Sequence, residues 1–367
     1  MNLPIDRITF PNGTAVVYTA DGLTKYTFPL SGVVLQGGTP AAPLAAPVST
    51  EPPPLDLRSL VLVPGGTTLL AEGSYAGVLD VAVPQTIRGK GMRRTIQDNA
   101  AGIRLSWGKG GIHVHAPDCV ISDMGFVHDG SGASDGEAGV YLENFTGAAT
   151  LLRCAFDGNE NGIFMPDRAD CLIDLLVQAC VFGRTAANGE SDERSHNLYV
   201  GGRTVTITNS IVLASVANTV KVRGPSLVMA GSYLTRHGRF LDCPGETVIA
   251  TSGNTFVTPV GDDSQNAFGF FDEGDVNANP GKVGSWTSNA DTFYFSRFNE
   301  VLWINDVNLR VEFINPNVKW IGPSGSAPPG VTIMGPGSLA GVNPFVFTEA
   351  NRVDVAPPVP DDPTATA

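Results

Sequence analysis

The sequence predicts an all-β fold: a single-stranded parallel β-helix over residues 56–275, with a small N-terminal β module and a C-terminal β-rich region. Three observations carry that expectation. The 367 residues include 43 glycines and 27 prolines, with only 16% charged and 42% hydrophobic. Few charges and many helix breakers disfavour a helical bundle and favour short strands joined by turns. No amphipathic helical stretch of useful length occurs, and the nearest candidate, "LIDLLVQA", fits a strand equally well. The third observation is a weak internal repeat. Six segments, "CVISDMGFVHD", "ATLLRCAFDGN", "IDLLVQACVFGRT", "VTITNSIVLAS", "LVMAGSYLTRH" and "VIATSGNTFVTP", share alternating apolar residues, a small or polar residue, and an apolar anchor two positions later.

The elements follow in chain order. Residues 1–38 read as short strands, with hairpin-type turn signals at Asn12-Gly13 and Asp21-Gly22. Residues 39–55 hold six prolines between Thr39 and Pro54 and read as a semi-extended linker. In the body the anchors are Phe126, Phe156, Phe182, Val212, Leu234 and Phe256, spaced 22 to 30 residues apart. Met124, Cys154, Cys180, Ser210, Ser232 and Asn254 stand two positions before them. A second strand precedes each unit ("GIHVH", "GVYLEN", "GIFMP", "HNLYVGG", "TVKVRG", "FLDCPG"), so two strands per coil are expected, with the anchors stacked in an internal ladder. Length variation falls in Gly/Asp/Ser-rich insertions such as "DGSGASDGEA". Residues 276–355, with Phe293, Tyr294, Trp303 and Trp320, read as a cap or oligomerisation region, and residues 356–367 as a loose tail.

The formal net charge of −13 argues against nucleic acid, because phosphate binding needs clustered Lys and Arg. No apolar run is long enough to insert in a membrane, and the N-terminus shows no secretion signal. Cys119, Cys154, Cys171, Cys180 and Cys243 lack metal-type spacing and read as buried, reduced thiols. No cofactor is expected.

The stretch "VPGGTTLLAEGSYAGVLDVAVPQTIRGKGMRRTIQDNA" resembles the first coils of right-handed parallel β-helix proteins of the pectate-lyase-like superfamily. "SHNLYVGGRTVTITNSIVLASVANTVKVRG" resembles a bacterial β-helix subgroup, with a His-Asn-aliphatic-Tyr-Val strand followed one coil later by a Lys-x-Arg strand. The resemblance covers roughly residues 58–270 and implies a right-handed helix. The whole arrangement, without a secretion signal, is similar to a bacteriophage spike. That similarity implies a homotrimeric virion protein whose N-terminal region contacts other virion proteins and whose helix meets bacterial cell-surface polysaccharide.

Candidate site residues come from strand alternation. If Val220 and Val222 point inward, Lys221 and Arg223 point out. The same argument turns out His113, His115, Tyr141, Glu143, Phe164, Asn197, Tyr199 and Asp242, one stripe of rings, amides and charges suited to carbohydrate. His115, Tyr141, Glu143, Asn197 and Asp242 are the expected substrate-binding residues. Lys221, Arg223 and Tyr199 are the expected catalytic set if the protein is a polysaccharide lyase, since elimination from a uronate needs a base and a cation for the developing charge. Lyases of the chondroitinase B type use such a Lys/Arg pair on a similar face, but their fuller signature, including calcium-binding acidic residues, is not recognisable in this sequence. Glu143 and Asp242, about four coils or ~19 Å apart, are too distant for paired-carboxyl glycoside hydrolysis. Loop acids Asp135, Glu137, Asp192 and Glu193 could supply a partner. The bland alternatives are a solvated Lys221/Arg223 pair bridged to Asp242 or Glu193, a His196 bonded to a turn backbone, and a rod that serves as a structural or decoration protein. His113 and His115 have the spacing of metal ligands, but no third ligand is visible, so no metal is expected.

Overall fold

The computed structural model describes the strands at 5–9, 14–19 and 25–29, and then residues 55–98, 111–127, 138–166 without 144, 171–183, 185, 195–258 without 214, 216, 237 and 245, 266–271, 284–296, 300–304, 309–323, 325, 333–334, 338–341 and 343–360. The chain divides into two units, 1–52 and 53–367. The first is a three-stranded antiparallel sheet in which Ile5–Thr9 pairs with Thr14–Thr19, and Thr14–Thr19 with Lys25–Pro29. The two turn signals at Asn12-Gly13 and Asp21-Gly22, and the proline-rich linker up to Pro54, lie outside the described residues.

The second unit is a right-handed parallel β-helix. Its strands fall into three parallel sheets of 10, 11 and 12 strands, and after the first, Leu55–Asp56, each strand pairs with the strand three further along the chain. One coil therefore contains three strands, not the two expected. The missing strand was hidden inside the repeat segments. "VTITNSIVLAS" is two strands, Thr204–Thr208 and Ile211–Val212, parted by a corner at Asn209 with φ 49°. A single left-handed residue turns the chain sharply enough to start a new sheet without breaking the apparent apolar alternation. The same corner recurs at Asp123, Arg153, Ala179 and Gly231.

The phenylalanine ladder is as expected. Phe126, Phe156, Phe182, Val212, Leu234, Phe256 and Phe293 pair rung by rung in the 12-stranded sheet. The rings of Phe126, Phe156 and Phe182 stack at 4.9 and 4.7 Å, within 8° of parallel. Burial of each ring contributes about 1.5–3 kcal/mol. Beside each corner runs the small-polar column. Ser210 Oγ accepts from the Cys180 amide, Ser232 Oγ from the Ser210 amide, Asn254 Oδ1 from the Ser232 amide, and Asp291 Oδ1 from the Asn254 amide. Corner amides that no strand can satisfy are thus bonded by the side chain of the next coil. The five cysteines are buried free thiols. Burial pushes the Cys154 thiol well up, as expected of a packing residue.

The helix does not stop near residue 275. Ser285–Asn289 pairs with Val248–Ser252, Thr292–Phe295 with Thr255–Val257, and further coils continue the three sheets to Arg352–Val353. Longer insertions between rungs conceal the period there. Phe293 and Trp320 lie in the interior and do not form an exposed aromatic surface; the Trp303 side chain lies outside the described residues. The start of the expected tail docks on the outside of the 12-stranded sheet. Ala356 packs against the Ile211, Tyr233, Val257 and Ile321 patch, and the Tyr233 hydroxyl donates to the Pro357 carbonyl at 3.3 Å. Among the described residues, no helix is long and apolar enough to cross a membrane.

Candidate functional site

The 10-stranded sheet carries the site. Its strands repeat one triplet in which two apolar residues point into the core and the middle one points out. The triplets begin Leu79-Asp80-Val81, Ile112-His113-Val114, Val140-Tyr141-Leu142 and Ile163-Phe164-Met165. They continue Leu198-Tyr199-Val200, Val220-Lys221-Val222 and Leu241-Asp242-Cys243. The middle residues are in register from rung to rung, Asp80↔His113↔Tyr141↔Phe164↔Tyr199↔Lys221↔Asp242. His115, Glu143 and Arg223 flank this column, each bonding through its backbone amide to the coil before. Glycine is required just upstream of two of the rungs. A Cβ on Gly139 would meet the Phe156 ring at 2.7 Å, and one on Gly162 the Phe182 ring at 2.7 Å.

In the middle of the column the aromatic rings lie on each other. Tyr141 and Phe164 stack at 5.5 Å and 15°, Phe164 and Tyr199 at 5.0 Å and 20°. The Lys221 ammonium sits 5.7 Å from the Tyr199 ring centroid, a cation–π contact on the face of the last ring. These faces are therefore covered by neighbouring side chains, and a ligand along the column would meet ring edges and hydroxyls, not flat platforms.

The two ends differ. At the far end Asp242 is buried beneath three donors. Asn218 Nδ2 donates to Oδ2 at 2.6 Å, Arg239 Nη1 lies 3.2 Å from Oδ2, and Arg223 Nη1 lies 3.6 Å from Oδ1. The expectation of Asp242 as a substrate ligand is corrected: it is buried, with Oδ2 bonded inside the protein and Oδ1 held only in an ion pair with Arg223, the ion-pair alternative the sequence allowed. Arg223, also expected to meet substrate, has a side chain only 3% exposed. Asn197 is corrected too. It sits at the corner before its strand, where the chain has not yet begun to alternate, and it is buried with its amide donating to the Leu213 carbonyl. His196 accepts the Asn218 backbone N–H on Nδ1 at 3.2 Å, the turn role expected of it.

At the near end four groups converge from three consecutive coils. His113 Nδ1 lies 3.2 Å and His115 Nε2 2.8 Å from the same Asp80 oxygen. His113 Nε2 lies 2.7 Å and His115 Nδ1 3.0 Å from one Glu143 oxygen. The two imidazoles are 3.7 Å apart, centroid to centroid. Asp80 is the third group that sequence reasoning missed. The signal was present: Leu79-Asp80-Val81 has the same apolar-polar-apolar form as the six strands that were read. Asp135, Glu137, Asp192 and Glu193 lie outside the described residues.

No protein-family profile matches the chain, and no characterised protein sequence matches it. Among solved structures it is similar to a mannuronic acid-specific polysaccharide family 6 lyase from human gut microbiota, at 14% identity and a TM-score of 0.42, covering 80% of this chain and 86% of that one. It is also similar to a mutant of the PL6 family alginate lyase AlyGC, at 8% identity and 0.34, covering 78% of this chain and 52% of that one. A third is the A-module of the Azotobacter vinelandii mannuronan C-5 epimerase AlgE4, at 11% and 0.30, covering 82% and 100%. These structure neighbours are polysaccharide-acting proteins. Likenesses this distant carry no argument about chemistry in this chain.

Proposed function

We propose that this protein binds a polysaccharide along the outward column of its 10-stranded sheet. The observation that supports the reading most is the register of Phe164, Tyr199 and Lys221, each partly exposed, on successive rungs beside the buried Tyr141. An extended polymer running parallel to the helix axis would meet a fresh side chain at every ~4.8 Å step. Tyrosine hydroxyls and ring edges would take sugar hydroxyls, and Lys221 would take an acidic group on one unit. His115 and Glu143 extend the polar part of the column toward the near end. Binding to a bacterial surface polysaccharide, attachment to a virion and assembly as a homotrimer are finer forms of the same proposal.

Elimination is the weaker reading. Tyr199 and Lys221 adjoin and could handle a proton, but the third group, Arg223, is directed at Asp242. A lyase needs a cation on the uronate carboxylate, and that cation is engaged within the protein.

The test is calorimetric titration against acidic and neutral polysaccharides. Lys221→Ala and Tyr199→Ala are each expected to weaken binding about tenfold or more, in the range of interface residues that matter. Lys319→Ala, on a strand of another sheet, is expected to leave it unchanged. No binding by any polymer, or binding indifferent to Lys221, would overturn the proposal. Accumulation of an unsaturated, ultraviolet-absorbing product would restore the lyase reading.

A further inference from the structure

We infer that Asp80, His113 and His115 form a binding site for a zinc-class divalent cation, with Glu143 as the carboxylate that orients both imidazoles. One ligand atom from each of the three residues can be chosen so that all lie within 4.8 Å of one another. His113 Nδ1 and His115 Nε2 both face the Asp80 oxygen, at 3.2 and 2.8 Å. In a tetrahedral site with bonds of 2.0–2.1 Å, neighbouring ligand atoms stand about 3.3 Å apart. Both nitrogens therefore already stand near that distance from the Asp80 oxygen.

The second carboxylate gives the site its protonation pattern. Glu143 faces the other nitrogen of each ring through one oxygen, at 2.7 and 3.0 Å. The His113 Nε2 contact does not have hydrogen-bond geometry as it stands, so the Glu143 carboxylate must turn before it takes an N–H from the rings and leaves the nitrogens toward Asp80 their lone pairs. A carboxylate behind a ligating histidine is the usual means of fixing its tautomer and raising its basicity. Two neutral imidazoles and two carboxylates carry a charge of −2, which a divalent ion cancels. The strand geometry makes this placement repeatable. His113 and His115 stand on the same side of one strand, Asp80 is in register one rung before, and Glu143 projects from one rung after.

The donor set selects the metal. Imidazole nitrogen with carboxylate suits zinc and its first-row neighbours, whereas calcium and magnesium prefer all-oxygen shells. Three protein ligands leave a fourth position. It lies on the solvent side, since the Asp80 side chain is 70% exposed and His115 32%. A water, or a hydroxyl or carboxylate of a ligand on the column, could occupy it. The competing occupant is a pair of protons: with both rings charged, the same four contacts become salt bridges.

The site is tested without any glycan, so its failure and that of the polysaccharide reading are separable. Protein stripped with a chelator is titrated with Zn²⁺ and, separately, with Ca²⁺, and its Co²⁺ form is examined by visible spectroscopy. Expected are one Zn²⁺ per chain, much weaker Ca²⁺ binding, and the intense ligand-field bands of four-coordinate Co²⁺. Glu143→Gln should lower Zn²⁺ affinity about 10–100-fold, and Asp80→Ala and His115→Ala by more. Both alanine changes are at solvent-facing side chains, and circular dichroism checks that each variant is folded. Absence of saturable Zn²⁺ binding, or binding equally strong in Asp80→Ala and His115→Ala, would overturn the inference and leave the cluster as titrating ion pairs.

Discussion

The two ends of one column use the same chemistry for opposite purposes. At the far end a carboxylate and two guanidiniums are folded in, with the Asp242 side chain 2% exposed. At the near end two carboxylates and two imidazoles are held in contact, the His113 ring 1% exposed but Asp80 70% and His115 32% exposed. Both sit on middle residues of the same strand triplet, four to six rungs apart. The difference comes from what lies beside the sheet. At the far end Asn218 and Arg239, from the segments that follow neighbouring coils, fold over Asp242. Asp80, in contrast, keeps 70% of its side chain exposed. Alternation within a strand decides which side a residue takes, but the flanking segments decide whether that side is surface.

The sharpest way to break the comparison is Asp242→Ala. Removing the carboxylate leaves the buried Arg223 guanidinium without its counter-charge and Asn218 Nδ2 without its acceptor. Breaking one partner of a buried pair costs about 3–5 kcal/mol. Urea denaturation should show that loss, with little change in slope. A loss below about 1 kcal/mol would mean that the far end is as loosely organised as the near end.

The middle of the column should respond less. Phe164→Ala removes a half-buried ring stacked on both sides. Ring pairs are worth about 0.5–1.5 kcal/mol beyond their area, so a loss of roughly 1–3 kcal/mol is expected when the lost burial is included. A double-mutant cycle of Phe164→Ala with Tyr199→Ala should give a coupling free energy within the stacking range. Zero coupling would show that the rungs act independently.

How much of this was legible in the sequence follows from the same geometry. The ladder of Phe126, Phe156 and Phe182 could be read because interior rungs repeat one residue type at one register. The outward column could be read from His113 to Asp242 by the period of two. The three-strand coil could not, because a one-residue corner such as Asn209 leaves the alternation nearly intact. The coils after residue 275 were hidden by insertions. Asn197 was misplaced because the residue at a corner does not obey the strand's alternation. The burial of Arg223 and Asp242 was beyond reach, since their cover comes from Asn218 and Arg239, which no strand pattern singles out.

Between the two ends in exposure stands Asp123, whose side chain is 12% exposed at a sheet corner. Arg153 donates to its two oxygens at 2.6 and 2.9 Å, and Arg88 lies 3.2 Å away. Burial by itself would raise the Asp123 carboxyl, but the Arg153 bonds, a Ser122 bond and the charges of Arg153 and Arg88 outweigh it and hold the carboxyl below its usual value. A carboxyl lowered on folding stabilises the protein above its unfolded value, and that contribution is lost as pH falls through its folded value. Asp123→Asn should therefore cost about 1 kcal/mol or less at neutral pH and nothing in strong acid. Stability measured against pH for both proteins should converge on the acid side; parallel curves would refute the assignment.

The smallest effect belongs to Asp80→Ala in metal-free protein. An exposed carboxylate beside two histidines gains little Coulomb energy in water and gives up side-chain freedom to keep its place. A surface substitution of this kind changes stability by no more than about 0.5 kcal/mol. The Leu79 and Val81 neighbours, which point into the core, are untouched, so the rung itself survives. Chemical denaturation of chelator-treated wild type and Asp80→Ala should then be nearly superimposable, while added Zn²⁺ stabilises the wild type alone, by an amount that grows with its concentration. If metal-free Asp80→Ala instead lost as much as Asp242→Ala, the near end would be a closed structural pair like the far one. The contrast between a buried bridge and an open ligand site would then disappear.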